Sequence, residues 1–185
     1  LAPNTPAERL RTLNIKGIIL SGGPSSVYEA GAPRCQRDIF ELGVPVLGIC
    51  YGMQIACQLL GGEVRAGQTR EYGRVRLNVR RPVGVLAHLP PEISVWMSHG
   101  DVVTEVADCF EPIAVTAACP VAAVRHKVLP VFGVQFHPEV THTPNGKQMI
   151  RNFVYDICGS HGDWRVENVI EAAVESVRTQ VGPND

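Results

Sequence analysis

Residues 44–54 read Val44-Pro-Val-Leu-Gly-Ile-Cys-Tyr-Gly-Met-Gln54: an apolar strand-like run stops, a helix-like run begins, and Gly48 and Gly52 stand two residues either side of Cys50. This is G-x-C-x-G, the pattern of a nucleophile elbow with sulfur in place of oxygen. A strand that turns sharply into a helix holds the corner residue in strained backbone. A Cβ at either flanking position would strike the neighbouring turn, hence the two glycines. The thiol is expected to stand exposed above the sheet. The positive end of the helix that Cys50 opens is expected to favour thiolate over thiol, the form that attacks carbonyl carbon.

Outward from the elbow, the pattern alternates between strands and helices. Upstream, Leu10 and Leu13 fall at helical spacing within Thr5 to Leu13, and Gly17 to Leu20 reads as a short, fully buried strand. Ser21-Gly-Gly-Pro-Ser25 is a loop at that strand's end; Cys35, Ile39 and Leu42 then fall at i, i+4 and i+7, and Gly43 supplies a helix stop. Val44 to Ile49 is a second buried strand, and the helix after Cys50 ends at Gly61-Gly62. This order predicts an α/β fold: an open, mostly parallel twisted sheet flanked by helices, with ligands beyond the carboxyl ends of the strands. From Arg74 to Arg80 the pattern becomes strict alternation, Val75, Leu77 and Val79 against Arg74, Arg76, Asn78 and Arg80, which predicts a small antiparallel section with a solvated arginine face. Val95 to Met97, Ile113 to Thr116, Ala122 to Arg125 and Val131 to Phe136 are further strands, the last running straight into His137. After the turn Thr143-Pro-Asn-Gly146, Met149, Ile150, Phe153, Val154 and Ile157 define an amphipathic helix ending at Gly159.

Composition narrows the class of partner. The 185 residues, 45% hydrophobic, suffice for one domain and a tail, and 17 basic against 18 acidic side chains give a net charge of −1. That balance offers no electrostatic reason to bind nucleic acid or an anionic membrane. No apolar run is long enough to span a bilayer and Leu1 to Pro6 lacks a signal-peptide pattern, so the chain is expected in the cytoplasm. Six cysteines, at 35, 50, 57, 109, 119 and 158, form no C-x-x-C pair and predict neither a disulfide framework nor a metal site. Cys50 and Cys57 lie two helical turns apart, roughly 10 Å, too far to be bridged.

A cysteine that attacks an acyl carbon needs a base and an oxyanion hole. His137 stands at a strand's carboxyl end, on the same sheet edge as the elbow, and Glu139 follows across a proline, placed to curl back onto the imidazole. The oxyanion donors expected of an elbow enzyme are the amide after the nucleophile, Tyr51, and one from the glycine loop, Gly23.

Ser21-Gly-Gly-Pro24, Gly48-Ile-Cys-Tyr-Gly-Met-Gln54 and Gly133-Val-Gln-Phe-His-Pro-Glu139, in this order and spacing over most of the chain, resemble the class I glutamine amidotransferases, a flavodoxin-like family. The resemblance implies that glutamine is the substrate. Cys50 would attack its carboxamide, His137 shuttle the proton to departing ammonia and Glu139 orient His137, through a glutamyl thioester opened by water. By motif order, Gln54 and the loop Ser98-His99-Gly100-Asp101 would line the glutamine pocket. Tyr51-Gly-Met-Gln54, Glu71-Tyr-Gly73, Met97 to Asp101 and Glu139-Val-Thr-His142 are similar to the branch whose ammonia serves the ATP-dependent amination of XMP to GMP. In that branch a helix, here Trp164, Val169, Ile170, Ala173, Val174 and Val177, leads into an ATP-pyrophosphatase (synthetase) domain. The expected organisation is therefore an amidotransferase domain over 1–160, lacking the first strand and helix with which family members begin, and a linker helix over 161–185. No cofactor is expected in this domain; ATP and Mg would belong to the synthetase domain, through which a homodimer would also form. Two other readings remain open from the residues: a thiol hydrolase of γ-glutamyl peptides, and an inactive amidotransferase-like binding module.

Overall fold

Successive residues of a strand face opposite ways, and in the computed structural model, which describes residues 1–162, Val46 and Leu47 each enter a separate core. The chain runs α1 (Ala7–Thr12), β1 (Ile18–Leu20), β2 (Val46–Ile49), α2 (Tyr51–Leu59), β3 (Glu63–Val79), β4 (Glu92–Glu105), β5 (Phe110–Val115), β6 (Ala123–His126), β7 (Val131–Val134) and α3 (Gly146–Arg151). Beyond α3 the helix widens into π-helical turns over Asn152–Ile157 and stops near Gly159, whose φ is 64°. Leu47, Ile49, Phe136, Met149 and Phe153 lie in one core, Val46, Met53, Ile55 and Val131 in the other. The sheet is the partition between them.

All seven strands join in one open sheet, in the order β1-β2-β7-β6-β5-β3-β4. The α/β class and the open sheet are as the sequence predicts, with one difference of balance. Only β1–β2 and β2–β7 pair in parallel; β3–β4, β3–β5, β5–β6 and β6–β7 are antiparallel. The antiparallel section is thus the larger one. The cause is the connections: a parallel neighbour needs a crossover of a dozen or more residues, usually helical, and between α2 and α3 no α-helix intervenes.

Three local expectations change. The spacing of Cys35, Ile39 and Leu42 yields only a 3-10 turn, Arg37–Glu41, closed by Gly43 at φ 76°. Residues 98–101 are not a loop but part of β4, opposite a bulge in β3 where the pairing jumps from Ala66–Asp101 to Glu71–His99. β1 is not fully buried: Ile19 is 47% exposed, because β1 ends the sheet order and pairs with β2 alone among the described residues. Clefts of about 520 Å³, reached from the α2 side, and about 980 Å³, reached from the α3 side, both touch Ile19. The arginine face of β3 is as predicted, with Arg74 and Arg76, and Arg80 just past its end, exposed and Leu77 and Val79 buried. No helix among the described residues is long and apolar enough to cross a membrane. The linker helix expected over 161–185 lies, from residue 163 on, outside the described residues.

The elbow glycines are a packing requirement. A Cβ on Gly48 would lie 2.6 Å from the Gly52 carbonyl group and Met53 N, and one on Gly52 would lie 1.9 Å from the Leu20 carbonyl oxygen. Backbone cannot swing aside as a side chain can. Gly52→Ala is therefore expected to lower the unfolding free energy by about 3 kcal/mol, read as a fall in the urea midpoint. An unchanged midpoint would mean that α2 does not sit against β1.

Candidate active site

Cys50 occupies the corner between β2 and α2 with φ 51° and ψ −108°, a strained conformation for a residue with a Cβ. Its amide donates to the Val134 carbonyl at 2.8 Å and its carbonyl accepts from Gln54 N at 3.1 Å, so strand and helix hydrogen bonding meet at this one residue. The side chain is not exposed above the sheet: Cys50 is 5% exposed. Its thiol donates to the Ser98 carbonyl at 3.8 Å and accepts from Gln135 Nε2 at 3.6 Å. Burial pushes the thiol pKa up; the Tyr51 amide and Gln135 pull against it, while Glu139 and Asp101 add to the rise. The expected thiolate is thus overridden at rest. The helix end acts in the predicted direction, through the Tyr51 N–H, but desolvation of the charged form outweighs it.

β7 lies beside β2, with Ile49 opposite Val134, which brings His137 to the elbow's side of the sheet. The His137 amide donates to the Trp96 carbonyl at 2.9 Å, Thr143 Oγ1 donates to the His137 carbonyl at 2.6 Å, and Trp96 N donates to Thr143 Oγ1 at 3.0 Å. His137 is thereby tied to β4. Its Nδ1 lies 2.7 Å from Glu139 Oε1. A carboxylate accepts, so Nδ1 carries the proton and Nε2 is left with its lone pair. Gly22 lies between His137 and Cys50: a Cβ there would be 3.0 Å from His137 Cε1 and 3.6 Å from Cys50 Cβ. Only glycine leaves that space open. Gly23 lies against the Tyr51 ring, where a Cβ would be 3.7 Å from Cγ, and the Tyr51 hydroxyl donates to the Pro33 carbonyl at 2.5 Å.

The residues expected to line a glutamine pocket divide. Asp101 is accessible, its Oδ1 accepting from the Tyr28 hydroxyl at 2.8 Å, and Gly100 faces Arg70. Ser98 meets the thiol through its carbonyl. Gln54 is buried, with Nε2 given to the Asp101 carbonyl at 3.0 Å and Gln135 Oε1 at 3.1 Å. His99, 4% exposed, spends Nδ1 on the Asp101 carbonyl at 3.0 Å and Nε2 on Glu71 Oε2 at 3.2 Å. Its ring therefore shapes the strand from behind instead of facing a ligand. Burial lowers the His99 pKa, with Glu71 acting against that.

Gln135, Glu71 and Gly22 lie within the quoted motifs, but neither they nor Tyr28 carries an assigned role in the sequence reading. Gln135 lies in an apolar run and Tyr28 in a segment with no periodicity; for Gly22 the Gly-Gly pair was the available signal. Glu71, His99 and Cys119 place ligand atoms within 4.8 Å of one another, the geometry of a candidate metal cluster. Their chemistry argues otherwise. Glu71 Oε1 accepts from Thr116 Oγ1 at 2.9 Å, Oε2 meets His99, and the Cys119 thiol is pushed up to about 12 by burial, so the donors are spent on one another or protonated.

A profile of the family described as glutamine amidotransferase class-I matches residues 1–157. The chain is 46% identical over 179 residues to a GMP synthase [glutamine-hydrolyzing] of Ruminiclostridium cellulolyticum, covering 97% of this chain and 35% of that protein. It is 47% identical over 183 residues to a protein of the same name from Bacillus cereus, covering 98% and 36%. The chain thus spans about a third of the length of these curated relatives. Among solved structures, a Thermoplasma acidophilum protein provisionally named as part of a GMP synthase superposes with a TM-score of 0.73 at 31% identity, covering 85% of this chain and 78% of that one. A glutamine amidotransferase of Thermotoga maritima superposes at 0.62 with 18% identity, covering 77% and 78%, which speaks for the fold alone.

A thiol held protonated by burial reacts slowly with alkylating agents at neutral pH. Iodoacetamide labelling of Cys50, followed peptide by peptide in the absence of substrate, is expected to rise with pH about a midpoint above the ~8.5 of a free thiol. Cys57, fully buried and pushed up to about 12, should stay unlabelled while the fold holds. A Cys50 midpoint below that of a free thiol would show a resting thiolate instead.

Proposed function

The chain belongs to the class-I glutamine amidotransferases, and on that premise we propose that it hydrolyses glutamine to glutamate and ammonia through a thioester on Cys50. The observation that carries this reading is a buried thiol at a strained elbow and an imidazole whose Nδ1 is held by Glu139, both bordering the space at Gly22. His137 Nε2 is the free site on the ring. It takes the thiol proton as sulfur attacks the carboxamide carbon, and returns it to the nitrogen as the C–N bond breaks and ammonia leaves. Water, deprotonated by the same nitrogen, then opens the thioester. The Tyr51 amide, already directed at the sulfur, and the Gly23 amide take the charge that develops on oxygen. Asp101 is the accessible carboxylate suited to the α-ammonium group of glutamine, and Ser98 and Gly100 line the same stretch of β4. Gln54 and His99 hold that stretch in place.

The ammonia is destined for an ATP-pyrophosphatase synthetase domain that aminates XMP to GMP, a reading supported by the names of the relatives that cover nearly all of this chain. ATP and Mg serve that domain, and the amidotransferase domain over 1–160 works without a cofactor. The remainder, 161–185, connects the two, and dimer contacts fall to the synthetase part. Free glutamine rather than a γ-glutamyl peptide is the substrate, and the complete set Cys50, His137 and Glu139 speaks against an inactive binding module.

Cys50→Ala is expected to abolish ammonia release from glutamine, and the glutamine-like electrophile diazo-oxo-norleucine to label Cys50 and no other cysteine. Glu139→Gln should reduce kcat by about 100-fold, at the low end of what a positioned acid–base group contributes. Ammonia release that survives Cys50→Ala, or faster turnover of γ-glutamyl peptides than of free glutamine, would overturn the assignment.

A further inference from the structure

A chain of buried side chains ends on the nucleophile, and its proton positions can be deduced. The Asp101 main-chain carbonyl can only accept, so the Gln54 atom 3.0 Å from it is the amide nitrogen. That nitrogen also lies 3.1 Å from Gln135, which must therefore present its oxygen. The Gln135 nitrogen is left facing Cys50 Sγ at 3.6 Å. An amide orientation that is ambiguous in isolation is thus fixed by one main-chain carbonyl. The rule applies again at His99, whose Nδ1 meets the same carbonyl and must carry a proton, leaving Nε2 and Glu71 Oε2 to share another.

Resting on the reading of Cys50 as nucleophile, we propose that Gln135 sets the protonation and direction of its sulfur, as a donor oriented by Gln54 and the Asp101 carbonyl. Besides the Tyr51 amide, two groups hydrogen-bond the sulfur, and they favour opposite states. The Ser98 carbonyl needs the S–H proton and repels the anion, whereas the Gln135 N–H group binds the anion more tightly than the thiol. Gln135 is 0% exposed, so no bulk water stands in for it when the sulfur loses its proton. Proton transfer to His137 then exchanges one partner for the other without moving the sulfur. The direction of the thiol pKa fits: Gln135 lowers it against the rise that burial causes.

The test is the pH profile of Cys50 alkylation in Gln135→Met, which keeps the length and removes the donor, and in Gln135→Glu, which sets an acceptor beside the sulfur. Gln135→Met is expected to raise the midpoint by about one pH unit, slowing alkylation near neutral pH about tenfold. Gln135→Glu should raise it further, and kcat for glutamine should fall in both with KM unchanged. Graded movement of the midpoint is something a merely space-filling role would not produce. Cys57 reports folding, remaining unlabelled in a folded variant; should Gln135→Met expose it, Gln135→Asn, a shorter amide that withdraws the donor, is expected to raise the midpoint likewise. Equal midpoints in the wild type and the folded variants, or a rise in KM with kcat intact, would overturn the proposal. Alkylation needs no glutamine, so this failure is distinct from failure of the glutaminase assignment, which Cys50→Ala decides.

Discussion

The structure depends on a contact between main chains. The first turn of α2 approaches the end of β1 and the corner of β2 so closely that a Cβ at position 52 would overlap the Leu20 carbonyl oxygen, and one at 48 would overlap the turn itself. That approach forces Cys50 into its unusual backbone conformation. It also fixes where the sulfur can go. The corner, not the apolar strand that leads to it, decides which residue carries the strained backbone, since strain persists only where surrounding packing over-determines it.

Three strands supply the working groups. β2 delivers the thiol, the continuation of β7 delivers Gln135, His137 and Glu139, and β4 delivers the Ser98 carbonyl and Asp101. The parallel strands bring thiol and imidazole to one edge, as parallel strands with a common direction must. The antiparallel part has a different task. It folds β4 back over the elbow, and the carbonyls of Ser98 and Asp101 reach the thiol and Gln54, respectively, because β4 follows an interrupted register opposite β3.

Much of this was legible in the sequence because it is written in local patterns. G-x-C-x-G marked the corner, and the strand running into His-Pro-Glu marked His137 and Glu139, which meet at hydrogen-bond distance. What escaped notice depends on distant pairing. β3 begins at Glu63, but Glu63 to Arg70 shows no alternation, since its partner is set by a bulge and not by a buried face. Ser98 to Asp101 looked like a loop because polar residues and a glycine interrupt the apolar rhythm, yet His99 points inward onto Glu71, which satisfies it. The resting thiolate failed for a similar reason. Burial is a property of the assembled fold, and no local motif reports the desolvation that keeps the proton on sulfur.

β4 is the last strand in the sheet order, with β3 as its one neighbour among the described residues, and it holds hydrogen-bond partners of both Cys50 and His137. The Ser98 carbonyl holds the thiol, and the Trp96 carbonyl and amide, the latter through Thr143, hold the backbone of His137. The main chain of Cys50, by contrast, is held by Val134 and Gln54, so β4 sets where the thiol proton points and where the His137 backbone lies, but not where the sulfur stands. A displacement of that edge would therefore reach the thiol's proton acceptor and the backbone of His137 by the same strand.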